Sequence, residues 1–381
     1  MVPLTPGRPA AGLKQGAYMA FSFRDDYSEG AHPRIIGALA RTALEHSDCY
    51  GEDRFCLAAA DMLRAQAGCG GAEVLFVPGG TQANLLLISH ALRPHQAVIS
   101  AESGHINGHE CGAIEGSGHK IIAMLAADGK LTEALVEASL PQGSDAPHVV
   151  QPKLVYISQA TECGTVYTAL ELENLARCCR KHGLFLYVDG ARMANALAAS
   201  SGADCGACGA CGADSAEPPP SLSEVARLAD AFTLGGTKNG LLFGEALVVP
   251  NPELARDIRY TQKRLGALLA KGRAIGAQFE EALRDGLYLE LAAHANHMAA
   301  SLRSGLEALG VRFLYESRSN MQFAALPRAA ACALKERGYE FHVYGPTATG
   351  ADDAVCRFVA SWATTEEDVG RFVSDYSKAI G

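Results

Sequence analysis

No run of about 18 apolar residues occurs in the 381-residue chain, so a membrane-crossing helix is not encoded. Basic residues are also in the minority. The 33 Lys and Arg against 42 Asp and Glu leave a net charge of −9, the wrong sign for a surface that neutralises nucleic-acid phosphates. The first twenty residues hold Pro3, Pro6 and Pro9 but no apolar block, so the core of a secretory leader is missing and a cytoplasmic protein is expected. Twelve cysteines are present, yet they are mostly scattered through a long chain, which fits reduced thiols better than a disulfide framework. Cys205, Cys208 and Cys211 form two C-x-x-C spacings, but Ser215 stands where a fourth ligand belongs, so no metal is expected. Residues 201–220 read instead as a low-complexity insertion, after which Ser221 and Glu224 form a capping box that restarts a helix.

What the chain does have is alternation. Between about residues 54 and 250, apolar segments at 73–78, 97–100, 120–125, 153–158, 184–189, 231–235 and 246–249 are separated by helical patterns such as 81–93, 131–140 and 171–182. Several segments are apolar on both faces, which predicts an α/β fold with a mainly parallel, seven-stranded sheet covered on two sides. No G-x-G-x-x-G opens a helix after the first strand, so a nicotinamide-binding domain is the weaker reading. Residues 252–310 read as long helices; strands at 311–315, 321–326, 340–344 and 354–362 and a helix from Glu366 then make a smaller α+β domain. The expected division is a flexible arm at 1–17, a large domain at 18–255 and a small C-terminal domain at 256–381.

Ligands of open α/β sheets bind beyond the carboxyl ends of the strands, and the informative polar residues stand there. Lys238 lies in the turn Gly235-Gly236-Thr237-Lys238-Asn239-Gly240, and Asp189 closes an apolar segment. An amine for covalent attachment and a carboxylate that keeps a pyridine nitrogen protonated are what a pyridoxal phosphate (PLP) enzyme requires. Each has a plainer alternative, a solvated lysine in a glycine turn and an N-cap for the helix after Asp189. The turn at Gly79, Gly80, Thr81 and Gln82 offers free N–H groups at a helix start, a seat for a phosphate. Arg264 and Lys271 either add charge to that phosphate or belong to a solvated face. His105, just after the second strand, can stack on a ring and exchange a proton; His109 and His119 read as surface or structural.

The ordered set 23–33 (FRDDYSEGAHP), 50–53 (YGED), 80–84 (GTQAN), 103–113 (SGHINGHECGA), 158–167 (SQATECGTVY), 189–192 (DGAR), 236–240 (GTKNG) and 356–364 (CRFVASWAT) resembles the low-specificity threonine aldolases. These belong to PLP fold type I (aspartate aminotransferase-like), within the wider β-eliminating lyase group. The resemblance implies retro-aldol cleavage of L-threonine, L-allo-threonine or a related β-hydroxy-α-amino acid to glycine and an aldehyde. It implies Lys238 as the attachment lysine, Asp189 at the ring nitrogen, His105 on the ring, and Gly80, Thr81 and Gln82 at the phosphate. Arg192 and Arg357 would stand near cofactor and substrate, with Arg357 the better match for the substrate carboxylate. The hydroxyl proton would pass to His105, Glu162 or water, and Tyr50 would reach the site of a second copy in a homodimer or homotetramer. Two departures stand out: Asp25 replaces a serine that helps hold the substrate, and Glu162 replaces a histidine. A β-eliminating lyase acting on another amino acid, or a non-catalytic PLP-binding relative, are the alternatives.

Overall fold

The computed structural model describes residues 21–141, 147–199, 217–347 and 350–380; the arm 1–17 and Cys205, Cys208 and Cys211 lie outside the described residues. Seven strands, β1 (Glu73–Val77), β2 (Gln96–Ala101), β3 (Lys120–Met124), β4 (Gln151–Ser158), β5 (Phe185–Asp189), β6 (Ala231–Gly235) and β7 (Glu245–Val249), form one sheet in the order β1-β7-β6-β5-β4-β2-β3. Neighbouring residues of each strand enter different cores. Ile99, Val155, Val188, Phe232 and Val248 join one cluster, while Val98, Leu154, Tyr187, Ala231 and Leu247 join another. Side chains alternate across a strand, so both faces are buried and the strands read as unbroken apolar runs.

One strand departs from the parallel pattern. β7 runs antiparallel to both β6 and β1. Only residues 236–244 separate β6 from β7, fewer than the dozen or so that a parallel crossover needs. The other strands share one direction, so Gly79, Ser158, Asp189 and Gly235 lie along one edge of the sheet. Helices follow the strands, and two of them, Ala169–Lys181 and Leu222–Leu228, open on capping boxes, the second built by Ser221 and Glu224.

Downstream, the helical stretch is broken into Pro252–Ala255, Ile258–Arg264, Arg273–Leu283 and Leu287–Glu307, the last two parted by Asp285 (φ 58°) and Gly286 (φ 78°). Four antiparallel strands follow, β8 (Arg312–Phe313), β9 (Met321–Pro327), β10 (His342–Thr347) and β11 (Gly350–Val359), in the order β10-β11-β9-β8. An alanine-rich helix, Arg328–Glu336, which the sequence reading left unassigned, packs on this sheet together with Glu366–Ile380. Phe23, near the first of the described residues, belongs to this second core. Its N–H donates to the Glu340 carbonyl (2.8 Å), its carbonyl accepts from the Val359 N–H (2.9 Å), and its ring lies 5.2 Å from that of Phe372.

Candidate active site

Asp189 ends β5 with a buried carboxylate that does not lack donors. Oδ2 accepts from the Tyr156 hydroxyl (2.6 Å) and Asn84 Nδ2 (2.9 Å), and Oδ1 accepts from the Ala191 N–H (2.9 Å). Such donors make burial of a carboxylate tolerable. The Asn84 amide is fully engaged: it also donates to Glu110 Oε1 (2.7 Å) and accepts from the Tyr187 hydroxyl (2.8 Å). Glu110 Oε1 in turn lies 2.8 Å from His105 Nδ1. A continuous chain of polar groups therefore runs from Asp189 through Asn84 and Glu110 to His105. Burial, and then the charges of Asp189 and Glu162, push the Tyr156 hydroxyl well above its usual range, so it stays a donor.

Lys238 stands in the loop after β6, next to β5 in the sheet, and is half-buried. Burial and the neighbouring Arg192 lower its amine below the ordinary lysine value, against the pull of Asp26, Asp189 and Glu245. Glu245, buried at the start of β7, accepts from the Gly236 N–H (3.2 Å), and burial pushes its carboxyl up to about 8 although Lys238 and Thr237 oppose the shift. The loops that carry Asp189 and Lys238 touch backbone to backbone. A Cβ at Gly190 would sit 1.9 Å from the Thr233 carbonyl oxygen, and one at Gly235 would sit 2.2 Å from the Ala191 carbonyl oxygen, so only glycine fits either position.

The helix Gly80–Ala91 starts directly beyond β1 with no side-chain cap, and its first helical bond is from the Ala83 N–H to the Gly79 carbonyl. The N–H groups of Gly80, Thr81 and Gln82 precede that bond and so have no partner within the helix, and the side of Gly79 and Gly80 that a Cβ would occupy is open, with nothing within 4 Å. Gln82 offers only its backbone, because its side chain donates to the Leu265 carbonyl (3.1 Å). An amine, a donor-rich carboxylate on the next strand and an uncapped helix start together fit PLP, whose aldehyde, ring nitrogen and phosphate need those three groups.

His105 and Glu162 are also brought together. The His105 N–H (3.0 Å) and the Ser158 hydroxyl (2.6 Å) both donate to Glu162 Oε1. Burial raises the Glu162 carboxyl above the usual carboxylate range; the Ser158 hydrogen bond opposes this and the charge of Asp189 adds to it. Arg357, on β11, donates from Nη2 to the Arg24 carbonyl (3.3 Å), while its buried Nε has no partner among the described residues. No carboxylate among the described residues pairs with it.

Three further expected positions have protein partners in the structure. Arg192 is held by Asp26 through Nε (2.7 Å) and Nη2 (3.0 Å), with Asn320 Nδ2 donating to the same carboxylate (2.9 Å), so the pair fixes the orientation of the guanidinium. Burial works against the Asp26 charge, but Arg192 and Lys238 outweigh it and hold the carboxyl below its usual range. Asp25 is spent within its own turn: Oδ1 accepts from the Ser28 hydroxyl (2.7 Å) and the Tyr27 N–H (3.2 Å), and Oδ2 from Arg24 Nε (3.0 Å). Tyr50 (φ 59°) leaves its ring exposed beneath the Lys263 ammonium, 4.5 Å away. The reading from sequence missed Asn84, Glu110, Tyr156, Glu245 and Asp26. Asn84 carried a usable signal, a polar residue on the buried stripe of Ala83 and Leu87.

Where the helix Ala169–Lys181 leads into β5, Glu137, Cys178 and His182 bring ligand atoms within 4.8 Å of one another. Glu137 Oε1 there already pairs with Lys181 (2.7 Å) and His182 (3.1 Å), so the cluster is satisfied as it stands.

Comparison with known proteins bears on the family and the fold. The chain is 34% identical over 358 residues to a low-specificity L-threonine aldolase of Pseudomonas sp. (strain NCIMB 10558), covering 93% of this chain and 96% of that relative. The solved threonine aldolase of Leishmania major superposes with a TM-score of 0.87 at 40% identity, over 95% of this chain and all of that one. Aspartate aminotransferase of Thermus thermophilus, at 16% identity and a TM-score of 0.67 over 94% of this chain and 91% of its own, shares the fold. The family model of the beta-eliminating lyases matches residues 23–328, and the chain belongs to that family.

Proposed function

We propose that the protein cleaves an L-β-hydroxy-α-amino acid, first of all threonine or allo-threonine, into glycine and an aldehyde, with PLP as cofactor. The observation that carries this reading is Asp189 and Lys238 at adjacent strand ends, in a chain aligned over 93% of its length with a threonine aldolase. When bound, the cofactor supplies an electron sink for the pair released as the substrate's Cα–Cβ bond opens. Lys238 is the attachment point, and its lowered proton affinity suits an amine that must be neutral to react and later deliver a proton to Cα. Asp189 holds the ring nitrogen, its carboxylate oriented by Tyr156 and Asn84. The N–H groups of Gly80, Thr81 and Gln82 hold the phosphate, and His105 covers the ring with its tautomer fixed by Glu110. Arg357 takes the substrate carboxylate, since a guanidinium without an acidic partner can bind it through two parallel hydrogen bonds.

In this reading the cofactor groups lie in the unit 18–255 and Arg357 in the unit 256–381. The protein works as a cytoplasmic homodimer or homotetramer, an assembly supported by the exposed Leu44, Tyr50, Leu57 and Tyr260 side chains. The test is incubation of the PLP-loaded protein with L-threonine, L-allo-threonine and L-phenylserine, with glycine, aldehyde, ammonia and keto acid assayed together. Glycine with stoichiometric aldehyde supports cleavage. Keto acid with ammonia moves the protein to β-elimination, and absence of all four refutes the reading for these substrates.

A further inference from the structure

Resting on the aldolase reading above, we propose that His109 is the base that accepts the proton of the substrate's β-hydroxyl. The reaction needs such a group close to Lys238 and Arg357, open to a ligand and unprotonated at neutral pH. His105 meets these conditions poorly, because its Nδ1 is tied to Glu110 and its ring is reserved for the cofactor face. Glu162 meets them poorly too. Its Oε1 is taken by Ser158 and the His105 N–H, and its burial favours the protonated carboxyl.

His109 meets all of them. It caps the short helix His105–Gly108 one turn beyond His105, with ring centroids 5.6 Å apart and planes tilted by 46°. Its side chain is exposed, and neither ring nitrogen has a hydrogen-bond partner among the described residues. His105 and Glu110 are its neighbours in its own loop, and the further charges that act on it are those of Arg357 on β11 and Lys238 in the loop after β6. Partial desolvation of the ring, then the electrostatic effect of His105, Arg357 and Lys238, hold its imidazole below the ordinary histidine value. The contact with the His105 ring sets it beside the group proposed to cover the cofactor.

The step balances without an oxidant or a reductant. The O–H bond breaks and its proton passes to a His109 ring nitrogen; the O–H pair becomes the second bond of the new carbonyl; the Cα–Cβ bond breaks and its pair stays with Cα. Cα then gains one proton, so threonine yields glycine and acetaldehyde.

The experiment compares the PLP-loaded wild type with His109→Gln in two reactions, cleavage of L-threonine and exchange of the glycine α-hydrogen in D2O. Exchange needs Lys238 and the cofactor but no hydroxyl base. In H109Q, kcat for cleavage is expected to fall about 10²-fold or more, while glycine exchange keeps its wild-type rate and the acid limb of the kcat/KM profile disappears. Cleavage at the wild-type rate, or an equal loss of both reactions, overturns the proposal. In the cofactor-free protein, the His109 Cε1–H resonance is expected to titrate below the ordinary value of about 6.5; a normal or raised value also overturns it. A wild type that exchanges glycine but cleaves no hydroxy amino acid sinks the aldolase reading itself, a result distinct from any failure of the variant.

Discussion

Replacing the Asn84 amide nitrogen by an oxygen, Asn84→Asp, changes little in shape and a great deal in energy. The nitrogen donates at once to Glu110 Oε1 (2.7 Å) and Asp189 Oδ2 (2.9 Å), both buried. A hydrogen bond to a charged group is worth about 1.5–3 kcal/mol, so losing both costs about 3–6 kcal/mol. An ionised carboxylate at residue 84 adds a like-charge term of about 4 kcal/mol per neighbour at 4 Å and an effective dielectric of 20. Protonation avoids the repulsion, but a single O–H then replaces two N–H donors. The smallest expected loss is thus one bond, about 1.5–3 kcal/mol, against a total stability of about 5–15 kcal/mol. The sign of the pH dependence follows. The new carboxyl titrates higher in the folded than in the unfolded protein, so the stability it retains is present at low pH and is lost as pH rises through the folded value. The assay is thermal unfolding of cofactor-free wild type and N84D at about pH 5.5 and about pH 8.5. The gap between the two proteins should widen at the higher pH; equal melting temperatures, or a gap that narrows with pH, would refute the reasoning.

Lys238→Ala is expected to lose threonine cleavage together with the absorbance of covalently attached cofactor; cleavage at the normal rate would remove the lysine from its assigned role. Arg357→Ala loses a two-bond carboxylate contact, about 3–6 kcal/mol at about 1.5–3 kcal/mol per bond, a fall in kcat/KM of roughly 10²-fold or more that steady-state kinetics with L-threonine will register. Glu245 titrates near about 8 when folded, far above its unfolded value of about 4.3, so wild-type stability falls across that window as pH rises. Melting curves of Glu245→Gln should be flatter there, and an unchanged slope would contradict the shift. Gly190→Ala forces a Cβ to 1.9 Å from the Thr233 carbonyl oxygen, so poor soluble yield or a lowered melting temperature is expected; a normally stable G190A would show that the two loops can part.

The large sheet was legible because burial on both faces wrote its central strands as apolar runs, and all seven segments lie within two residues of the observed strands. Strand direction is not in that pattern. The reversal of β7 had a different signature, the shortness of the connection 236–244, which excludes a crossover. Asp189, Lys238 and His105 were readable because each stands where a strand gives way to a loop. Their supporting residues were not, because Asn84, Glu110, Tyr156 and Glu245 come from four separate elements and meet only through the fold. Arg192 and Asp25 have protein partners that residue type did not reveal. Residue type marked both as contacts for ligands; Asp26, distant in sequence, also holds Nε and Nη2 of Arg192, and the adjacent Arg24 holds Oδ2 of Asp25.

The Asp26–Arg192 pair sets a limit on how short this protein can be made. Asp26 lies six positions into the described chain, yet it is the counter-charge of a guanidinium whose side chain is only 12% exposed, and through Asn320 it also reaches the start of β9. Removing one partner of a buried pair costs about 3–5 kcal/mol. Trimming the amino end past Phe23 would in addition pull an aromatic plug from the far unit. Tags, cleavage sites and fusions therefore belong upstream of Phe21, and a start codon placed at Tyr27 would give a chain that retains every proposed catalytic side chain and still folds poorly.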